Sequence, residues 1–366
     1  MKVGVTLDLS VAFWANGLQQ NIVFLNDLLD RIPGIDPLYI TSNSPTQGLS
    51  KKHKGILLSD LLSDESLVLD ILLVAGFDLL PEMYDALKRR NPEFRVILIH
   101  YGNKLFDDLQ SSIFPPSPSR KPLVTPKYLS GIWISPHHSF ALEYLKTYYN
   151  FENINVAPYI WDSFFVQESI KSLEEDGLSP FFHPDKAGNV CIFEPNKSHI
   201  KHCLLPIMIC QRLEQLYPGT LKQMHVSCCQ HLRKNHYFEK LMNRLPLVGR
   251  NSKKCFFNNR WSSLRALSKW GSTIVSNQIN NELNYAHLEA LHLGLPLIHN
   301  SPPLADAGYY YPSFDIHTGA LLLKNAIVNH EHELDWYKGN SQRFLRRYSP
   351  FEESNIAGYR DLLFGK

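Results

Sequence analysis

The stretch ELNYAHLEALHLGLPLIHNSP, from Glu282 to Pro302, places a short helix directly before an apolar strand. Apolar residues recur at helical spacing in its first half, where a single carboxylate, Glu289, lies on the helix. The helix is expected to end at Gly294, because glycine ends helices readily and Pro296 does not continue one. The residues PLIHN that follow are typical of a buried strand. The stretch therefore predicts one helix-strand unit of a parallel sheet.

The same alternation extends through the rest of the chain. In the second half it includes GNVCIFEPN, a helix from His199 to Tyr217, KQMHVSCC and STIVSNQ. In the first half it includes KVGVTL, DPLYIT, DILLVAG, RVILIHYG and GIWISPH, with helical patterns among them. Strands that alternate with helices predict parallel sheets covered by helices. We therefore expect an α/β protein with two Rossmann-like, doubly wound domains facing a cleft.

The length of 366 residues fits two domains better than one core. We place the first domain at residues 1–165 and the second at residues 166–340. The last segment, residues 341–366, is predicted to be a helix that crosses back to the first domain.

Composition excludes several classes of protein. The 37 basic and 35 acidic side chains give a net charge of +2, which argues against a nucleic-acid partner bound through phosphate neutralisation. The N-terminus lacks the apolar region of a signal peptide, and no run approaches the roughly 18 apolar residues of a membrane span. Six scattered cysteines lack the spacing of a disulfide framework. We therefore expect a cytoplasmic protein.

Neither GxGxxG nor GxxxxGK[ST] occurs, so any phosphates are expected to be bound in another way. Four segments, however, resemble a known group of proteins: FWANGLQQN (13–21), FEPNKSHIKHCLLPIMIC (193–210), NYAHLEALHLGLPLIHNSP (284–302) and DAGYYYPSFD (306–315). Together they resemble an uncharacterised bacterial family placed among GT-B-like proteins. The helix-GLP-strand segment is similar to the donor domain of glycogen-synthase-like GT-B glycosyltransferases.

This resemblance implies a metal-independent glycosyltransferase without a cofactor. It would move a sugar from a nucleotide-diphosphate donor to a glycan or glycolipid acceptor, as in polysaccharide biosynthesis. Such enzymes carry two glutamates eight positions apart, of which the second binds the ribose hydroxyls. Glu289 matches the second glutamate, whereas Asn281 occupies the place of the first, with Glu282 beside it.

An arginine and a lysine five positions apart also bind the diphosphate in those enzymes. Here the two places are Asn196 and Lys201, and Lys197 is the substitute for the arginine. Both lysines follow a predicted strand, and the carboxyl edge of such a sheet is where ligands bind. Ordinary surface lysines are the alternative.

The residue types support a nucleotide site as well. An ionised carboxylate accepts two hydrogen bonds from a vicinal diol, although Glu289 on a solvated helix face is the alternative. Asn281, Asn284 and Tyr285 fall where a helix N-terminus presents N–H groups to a diphosphate. The alternative is that Asn281 or Asn284 only caps the helix.

In the first domain, Asn16 and Gly17 precede a helix, and the glycine allows close approach to donor phosphates or acceptor. Trp14 is placed to stack on an acceptor sugar, with a buried structural tryptophan as the alternative. Candidates for a general base follow strands: Asp8, His100, which we prefer, and His138. Each has a structural role as its alternative.

Several features are discounted. His225, Cys228, Cys229 and His231 suggest metal ligands, but adjacent cysteines on a strand point to opposite faces, which favours core packing. His330 is interpreted as solvated. Three arginines near the C-terminus suggest a polar helix face or a peripheral membrane contact. Two other functions stay open: a nucleotide-sugar epimerase of related fold, and a catalytically silent scaffold in polysaccharide synthesis.

Overall fold

The computed structural model of the chain describes residues 1–10, 17–42, 54–114, 126–249 and 252–365. The chain divides into two compact units. Unit 1 comprises Met1–Asp162 and Tyr348–Lys366, and unit 2 comprises Ser163–Arg347. Each unit is built on a parallel sheet with helices, so the predicted α/β class with two Rossmann-like domains is confirmed.

The described part of unit 1 begins with twelve elements, which alternate in type along most of the chain. They are β1 (Lys2–Leu7), α1 (Gly17–Leu29), β2 (Asp36–Thr41), β3 (Gly55–Leu57), α2 (Leu58–Ser63), β4 (Ile71–Val74), α3 (Pro81–Arg90), β5 (Arg95–His100), α4 (Lys104–Ile113), β6 (Gly131–Ile134), α5 (Leu142–Tyr149) and β7 (Ile154–Val156). The strand order is β3-β2-β1-β4-β5-β6-β7, and all pairs are parallel. Strands such as β1 and β4 are apolar on both sides because helices cover both faces of a doubly wound sheet.

The order of the unit 1 strands reverses between β1 and β4, and the backbone is closely packed there. Thr6 Oγ1 accepts hydrogen bonds from the N–H groups of Ala75 (2.9 Å) and Gly76 (3.0 Å). A Cβ on Gly76 would lie 2.7 Å from the carbonyl oxygen of Thr6 and 2.8 Å from the nitrogen of Asp8. Gly76 is therefore needed for the close approach of the two strand ends.

Unit 2 repeats the same plan. Its described elements are α6 (Phe164–Glu175), β8 (Asn189–Ile192), α7 (Leu204–Leu216), β9 (Gln223–Val226), α8 (His236–Met242), β10 (Cys255–Phe257), α9 (Ser263–Trp270), β11 (Thr273–Val275), α10 (Tyr285–Leu293), β12 (Leu297–His299), β13 (Tyr309–Tyr310) and α11 (Ile316–Leu345). The strand order is β10-β9-β8-β11-β12-β13. As predicted, α10 ends at Gly294, which has φ 68°, and leads into β12.

The C-terminal residues are divided between the two units. The long helix α11 continues to Leu345 in unit 2, and a separate helix, α12 (Glu353–Phe364), belongs to unit 1. The guanidinium of Arg95 donates to the carbonyl oxygen of Leu363 at 2.7 Å, which ties α12 to the sheet of unit 1. No described helix is both long enough and apolar enough to cross a membrane.

His330 on α11 is fully buried, so its interpretation as a solvated residue was wrong. Its Nε2 donates to the carbonyl oxygen of Gly294 at 3.0 Å, and its Nδ1 lies 2.9 Å from the hydroxyl of Tyr309. The charged residues around it in the sequence concealed that His330 lies on the inner face of the helix. His330 thus joins α11 to the end of α10 and to β13.

Candidate functional site

The strand order of unit 2 reverses between β8 and β11, which pair in parallel. In open α/β sheets, ligands bind outside the carboxyl ends of the strands at such a reversal. Two polar segments leave the sheet there: residues 193–203 follow β8, and residues 276–284 follow β11 and lead into α10. We call these two segments together with α10 the switch-point site.

A buried carboxyl group, Glu194, lies at the centre of this site and is only 2% exposed. One of its oxygens accepts hydrogen bonds from the Ser276 hydroxyl and from the Asn277 N–H (3.2 Å). The other accepts from Gln278 Nε2 at 2.8 Å. Burial raises the pKa of Glu194 to about 7, although these hydrogen bonds and the charge of Lys201 oppose the rise. Glu194 therefore changes protonation near neutral pH.

One buried histidine, His287, extends this hydrogen-bonded group, and the ring of a second, His299, lies 5.9 Å from it. His287 Nε2 lies 2.8 Å from the Ser276 hydroxyl, and within the described ranges its Nδ1 has no hydrogen-bond partner. His299 Nε2 donates to the carbonyl oxygen of Ala307 at 2.8 Å. Burial lowers the pKa of His299 to about 4 and lowers the pKa of His287 well below its ordinary value. Both rings are therefore neutral at pH 7.

The segment after β8 is organised by Asn196, which is buried and has φ 55°. Its Nδ2 donates to the carbonyl oxygen of Glu194 (2.8 Å), and its Oδ1 accepts from the Cys203 N–H (2.7 Å). Its backbone N–H donates to the carbonyl oxygen of Lys201 at 3.1 Å. Asparagine tolerates the left-handed conformation better than most side chains do. The side chain of Asn196 thus shapes the loop, and its backbone N–H positions Lys201.

The two candidate lysines have different surroundings. Lys201 is half-buried, and its charge lowers the pKa of both Glu194 and His287. Lys197 is exposed, and its charge acts instead on the thiol of Cys228. Lys201 is therefore the lysine whose charge is directed at the centre of the switch-point site.

The start of α10 is capped by Asn284. Its Oδ1 accepts the N–H of Ala286 at 3.2 Å, and its carbonyl oxygen accepts the N–H of His287 at 2.9 Å. Two N–H groups of the first turn are thus already bonded within the helix, as the capping alternative predicts. Tyr285 is buried and Asn281 is half-buried. An anion at this end of α10 would therefore interact mainly with the positive end of the helix dipole.

Glu289 lies on the second turn of α10 and is half-buried. Its Oε2 accepts a hydrogen bond from the hydroxyl of Ser263 at 3.1 Å, and Ser263 is the first residue of α9. Burial raises the pKa of Glu289, and the hydrogen bond from Ser263 opposes this rise. A carboxylate has about four acceptor positions, so Glu289 retains capacity for ligand hydroxyl groups.

The base candidates of unit 1 follow its strands. His100 ends β5, and its Nε2 lies 3.0 Å from the hydroxyl of Tyr149. Burial, assisted by the charge of Lys104, lowers the pKa of His100 to about 4, so the ring is neutral but weakly basic at pH 7. His138 follows β6 and is 3% exposed.

Asp8 directly follows β1, where its Oδ1 accepts the N–H of Ser10 at 2.9 Å. Gly17 is the first residue of α1. The predicted Asn16 and Trp14 lie outside the described residues. In the sequence, Asp8 and Gly17 therefore flank the stretch that contains Trp14 and Asn16.

The discounted His and Cys residues are arranged differently from the prediction. Cys228 and Cys229 follow β9 in a turn, with φ 56° at Cys228, instead of lying on the strand. The ring of His225 stacks between those of Phe256 (4.9 Å) and Trp270 (5.1 Å). Across the described ranges, no group of three or more His, Cys, Asp or Glu side chains is arranged to hold a metal ion.

Four residues of this site were not predicted from the sequence: Glu194, Ser276, Gln278 and Ser263. The signal for the first three was present, because they follow the apolar strands in IFEPN and IVSNQ directly. The same criterion had selected Asp8 in unit 1. Ser263 carries no comparable signal, since its contact with Glu289 joins two helices that are 26 positions apart in sequence.

The fold of the chain is similar to that of several solved structures. Anabaena HepE in complex with UDP-glucose matches with a TM-score of 0.58 at 10% identity and 100% coverage of both chains. A glycosyltransferase from Rickettsia africae matches with a TM-score of 0.56 at 12% identity, over 100% of this chain and 99% of that one. These likenesses show the GT-B fold.

TarM from S. aureus, in complex with Fondaparinux, alpha-GlcNAc-glycerol and UDP, matches with a TM-score of 0.52 at 13% identity. The match covers 83% of this chain and 57% of TarM, so the chain spans little more than half the length of TarM. No curated protein matches the chain in sequence. The family model of DUF2827, described as a protein of unknown function, matches residues 3–363, and the chain therefore belongs to the DUF2827 family.

Proposed function

We propose that this protein is a glycosyltransferase that binds a nucleotide-diphosphate sugar at the switch-point site of unit 2. The observation that carries the proposal is that Lys201 follows β8 and Glu289 lies on the second turn of α10, which follows β11, and β8 and β11 are neighbours in one sheet. A nucleoside diphosphate requires hydrogen-bond acceptors for its ribose and positive charge for its phosphates. Anabaena HepE and S. aureus TarM, which have this fold, are in complexes with UDP-glucose and UDP, respectively.

Glu289 accepts hydrogen bonds from the two ribose hydroxyls in this proposal. Ser263 supports that role, because its hydrogen bond at 3.1 Å holds the carboxylate in one orientation. A hydrogen bond to a charged group contributes about 1.5–3 kcal/mol. Loss of the Glu289 charge should therefore weaken nucleotide binding substantially.

Lys201 and the positive end of the α10 dipole balance the charge of the diphosphate, so that the donor is held without a metal ion. Asn196 takes no direct part, because its side chain is occupied by the hydrogen bonds that shape the loop. Its contribution is to position Lys201 through the 3.1 Å bond to the carbonyl oxygen of that residue. Lys197, which is exposed, is not required.

In the transfer step, an acceptor hydroxyl oxygen forms a bond to the sugar carbon as the bond from that carbon to the diphosphate breaks. The hydroxyl proton passes to a base or to the leaving diphosphate. His100 is neutral at pH 7 and is the preferred base, with Asp8 and His138 as alternatives. A glycan or glycolipid acceptor is supported by TarM, whose complex contains Fondaparinux and alpha-GlcNAc-glycerol. The six free thiols support a reducing, cytoplasmic location.

A catalytically silent scaffold is the second candidate, and one observation favours it. Asn281 and Asn196 occupy the places where the resembling enzymes have a glutamate and an arginine, and Asn196 is committed to the loop structure. Such a scaffold would bind a nucleotide sugar without transferring the sugar.

A nucleotide panel tests the proposal. UDP, GDP and CDP are added at millimolar concentration, and the melting temperature is measured, since a ligand at one hundred times its Kd stabilises by about 2.7 kcal/mol. At least one nucleotide should raise the melting temperature of the wild type and of Lys197→Met, and should raise that of Lys201→Met and Glu289→Gln by clearly less. A chain stabilised by none of the three would refute the proposal.

Turnover of the corresponding nucleotide sugar separates the remaining alternatives. Slow release of the nucleoside diphosphate in EDTA, accelerated by a glycan acceptor, indicates metal-independent transfer. Binding without release indicates the scaffold. Interconversion of two nucleotide sugars indicates an epimerase.

A further inference from the structure

Glu194 is a buried carboxyl group to which the proposed binding of the donor by Glu289 and Lys201 gives no function. A carboxyl group that is 2% exposed lies at the reversal of the strand order, where three donors from the segment after β11 converge on it. The groups that face it come from each element packed around it. They are Lys201, the thiols of Cys203 and Cys228, the phenol of Tyr311 and, through Ser276, the imidazole of His287.

Of these neighbours, only the lysine is charged at neutral pH. Burial raises the pKa of Cys203, Cys228 and Tyr311 and lowers the pKa of His287, so all four are uncharged. The ionised state of Glu194 therefore depends on the three hydrogen bonds and on one positive charge. Any anion that binds beside that charge acts on Glu194.

Resting on the proposed function, we propose that Glu194 takes up a proton when the donor diphosphate binds beside Lys201. The diphosphate offsets the positive charge that favours the ionised carboxyl and adds negative charge of its own, and like charges disfavour ionisation. Glu194 is thus a positioning residue that couples donor binding to pH. By linkage, a proton on Glu194 strengthens donor binding.

Gln278 provides a partner for either protonation state. Its Nε2 donates to the ionised carboxyl, while its buried Oε1 has no hydrogen-bond partner within the described ranges. If the amide turns over, Oε1 accepts the O–H of protonated Glu194 instead. The backbone N–H and carbonyl of Gln278 are both bonded to the Asn300 side chain at 2.8 Å, so only the side chain of Gln278 has to move.

The direction of the pH effect follows from the pKa of about 7. At pH 6 most of the ligand-free protein already carries the proton, whereas at pH 8 binding must take up a proton from solution. The Kd should therefore rise by up to about tenfold between pH 6 and pH 8. Glu194→Gln, which mimics the protonated group, should lack this part of the pH dependence.

Titration calorimetry with UDP, GDP and CDP at pH 6 and pH 8 tests the proposal. The terminal phosphate of each probe also titrates in this range, but that contribution is common to all protein variants. The expected result is a Kd that rises up to about tenfold more in the wild type than in Glu194→Gln. The exposed control Glu331→Gln should behave as the wild type does.

Difference infrared spectroscopy on the wild type gives a second readout, which does not require the variant to fold. At pH 8, addition of the nucleotide should produce the C=O band of a protonated carboxylic acid. Nucleotide binding without that band, and with equal pH dependence in wild type and Glu194→Gln, would overturn the proton uptake and leave the proposed function intact. Absence of binding by all three nucleotides at both pH values would overturn the proposed function, and this inference with it.

Discussion

Replacing Glu194 with glutamine is expected to stabilise unit 2 at alkaline pH and to leave its stability unchanged at acidic pH. The pKa of Glu194 rises from 4.5 to about 7 on folding, mainly because the group is buried. Each pKa unit corresponds to about 1.4 kcal/mol, so the ionised carboxyl costs the folded state about 3 kcal/mol. Glutamine is close in shape to the protonated carboxyl and does not carry this cost.

The sign follows from linkage. A group whose pKa is raised on folding contributes stability that is fully present below pH 4.5 and is lost as the pH rises through about 7. Wild type and Glu194→Gln should therefore have equal stability near pH 4.5. By pH 8 the variant should be more stable by up to about 3 kcal/mol, which is roughly 6–12 °C in the melting temperature of a unit of this size.

Calorimetric melting of both proteins at pH 5, 6, 7 and 8 measures this difference. Only the difference between the proteins at each pH is informative, because the other titrating groups are common to both. Glu331→Gln, which changes an exposed carboxyl group in the same way, should have the same melting temperature as the wild type at every pH. A difference that does not change with pH, or a variant that is less stable than the wild type at pH 8, would refute the account of Glu194 as a buried group with a raised pKa.

Four further changes test the site and the fold. Lys201→Met should weaken nucleoside diphosphate binding in calorimetry, while the matched Lys197→Met, which removes the same charge from the same loop, should not. Glu289→Gln should raise the nucleotide Kd about tenfold or more, because a charge-assisted bond becomes a neutral one. Asn284→Ala should cost about 1 kcal/mol in urea unfolding, with or without nucleotide, because α10 loses its cap. Gly76→Ala should cost about 1–3 kcal/mol, because the added methyl meets backbone atoms at 2.7–2.9 Å, and an unchanged unfolding midpoint would contradict this reasoning.

The order of the elements was predictable because it depends on local patterns. The apolar runs KVGVTL and DILLVAG became β1 and β4, and the glycine of HLGLP ended α10 as expected. Packing between residues far apart in the sequence was harder to predict. The burial of His330 depends on contacts with Gly294 and Tyr309, which lie 36 and 21 positions away, and no local pattern contains them.

The candidate site was partly predictable for the same reason. Lys201 was predicted from the resemblance to the arginine–lysine pair of GT-B enzymes and from its position after a strand, and its charge does act on the centre of the switch-point site. Asn284 was correctly offered as a cap, since capping is a local preference. Glu194 was missed although it follows an apolar strand, because its burial depends on contacts with a segment that is 82 positions away in sequence.

The charges of the switch-point site support the proposed link between a proton on Glu194 and donor binding. The chain has Asn196 where the GT-B enzymes that it resembles have an arginine, so it has one positive charge fewer at this place. Glu194 adds a carboxyl that is close enough to Lys201 for each to affect the other. An ionised Glu194 offsets part of the attraction between Lys201 and a diphosphate, whereas a protonated Glu194 does not. The proposed donor is thus bound more strongly when the carboxyl of Glu194 is neutral, which is why nucleotide binding and proton uptake are expected to occur together.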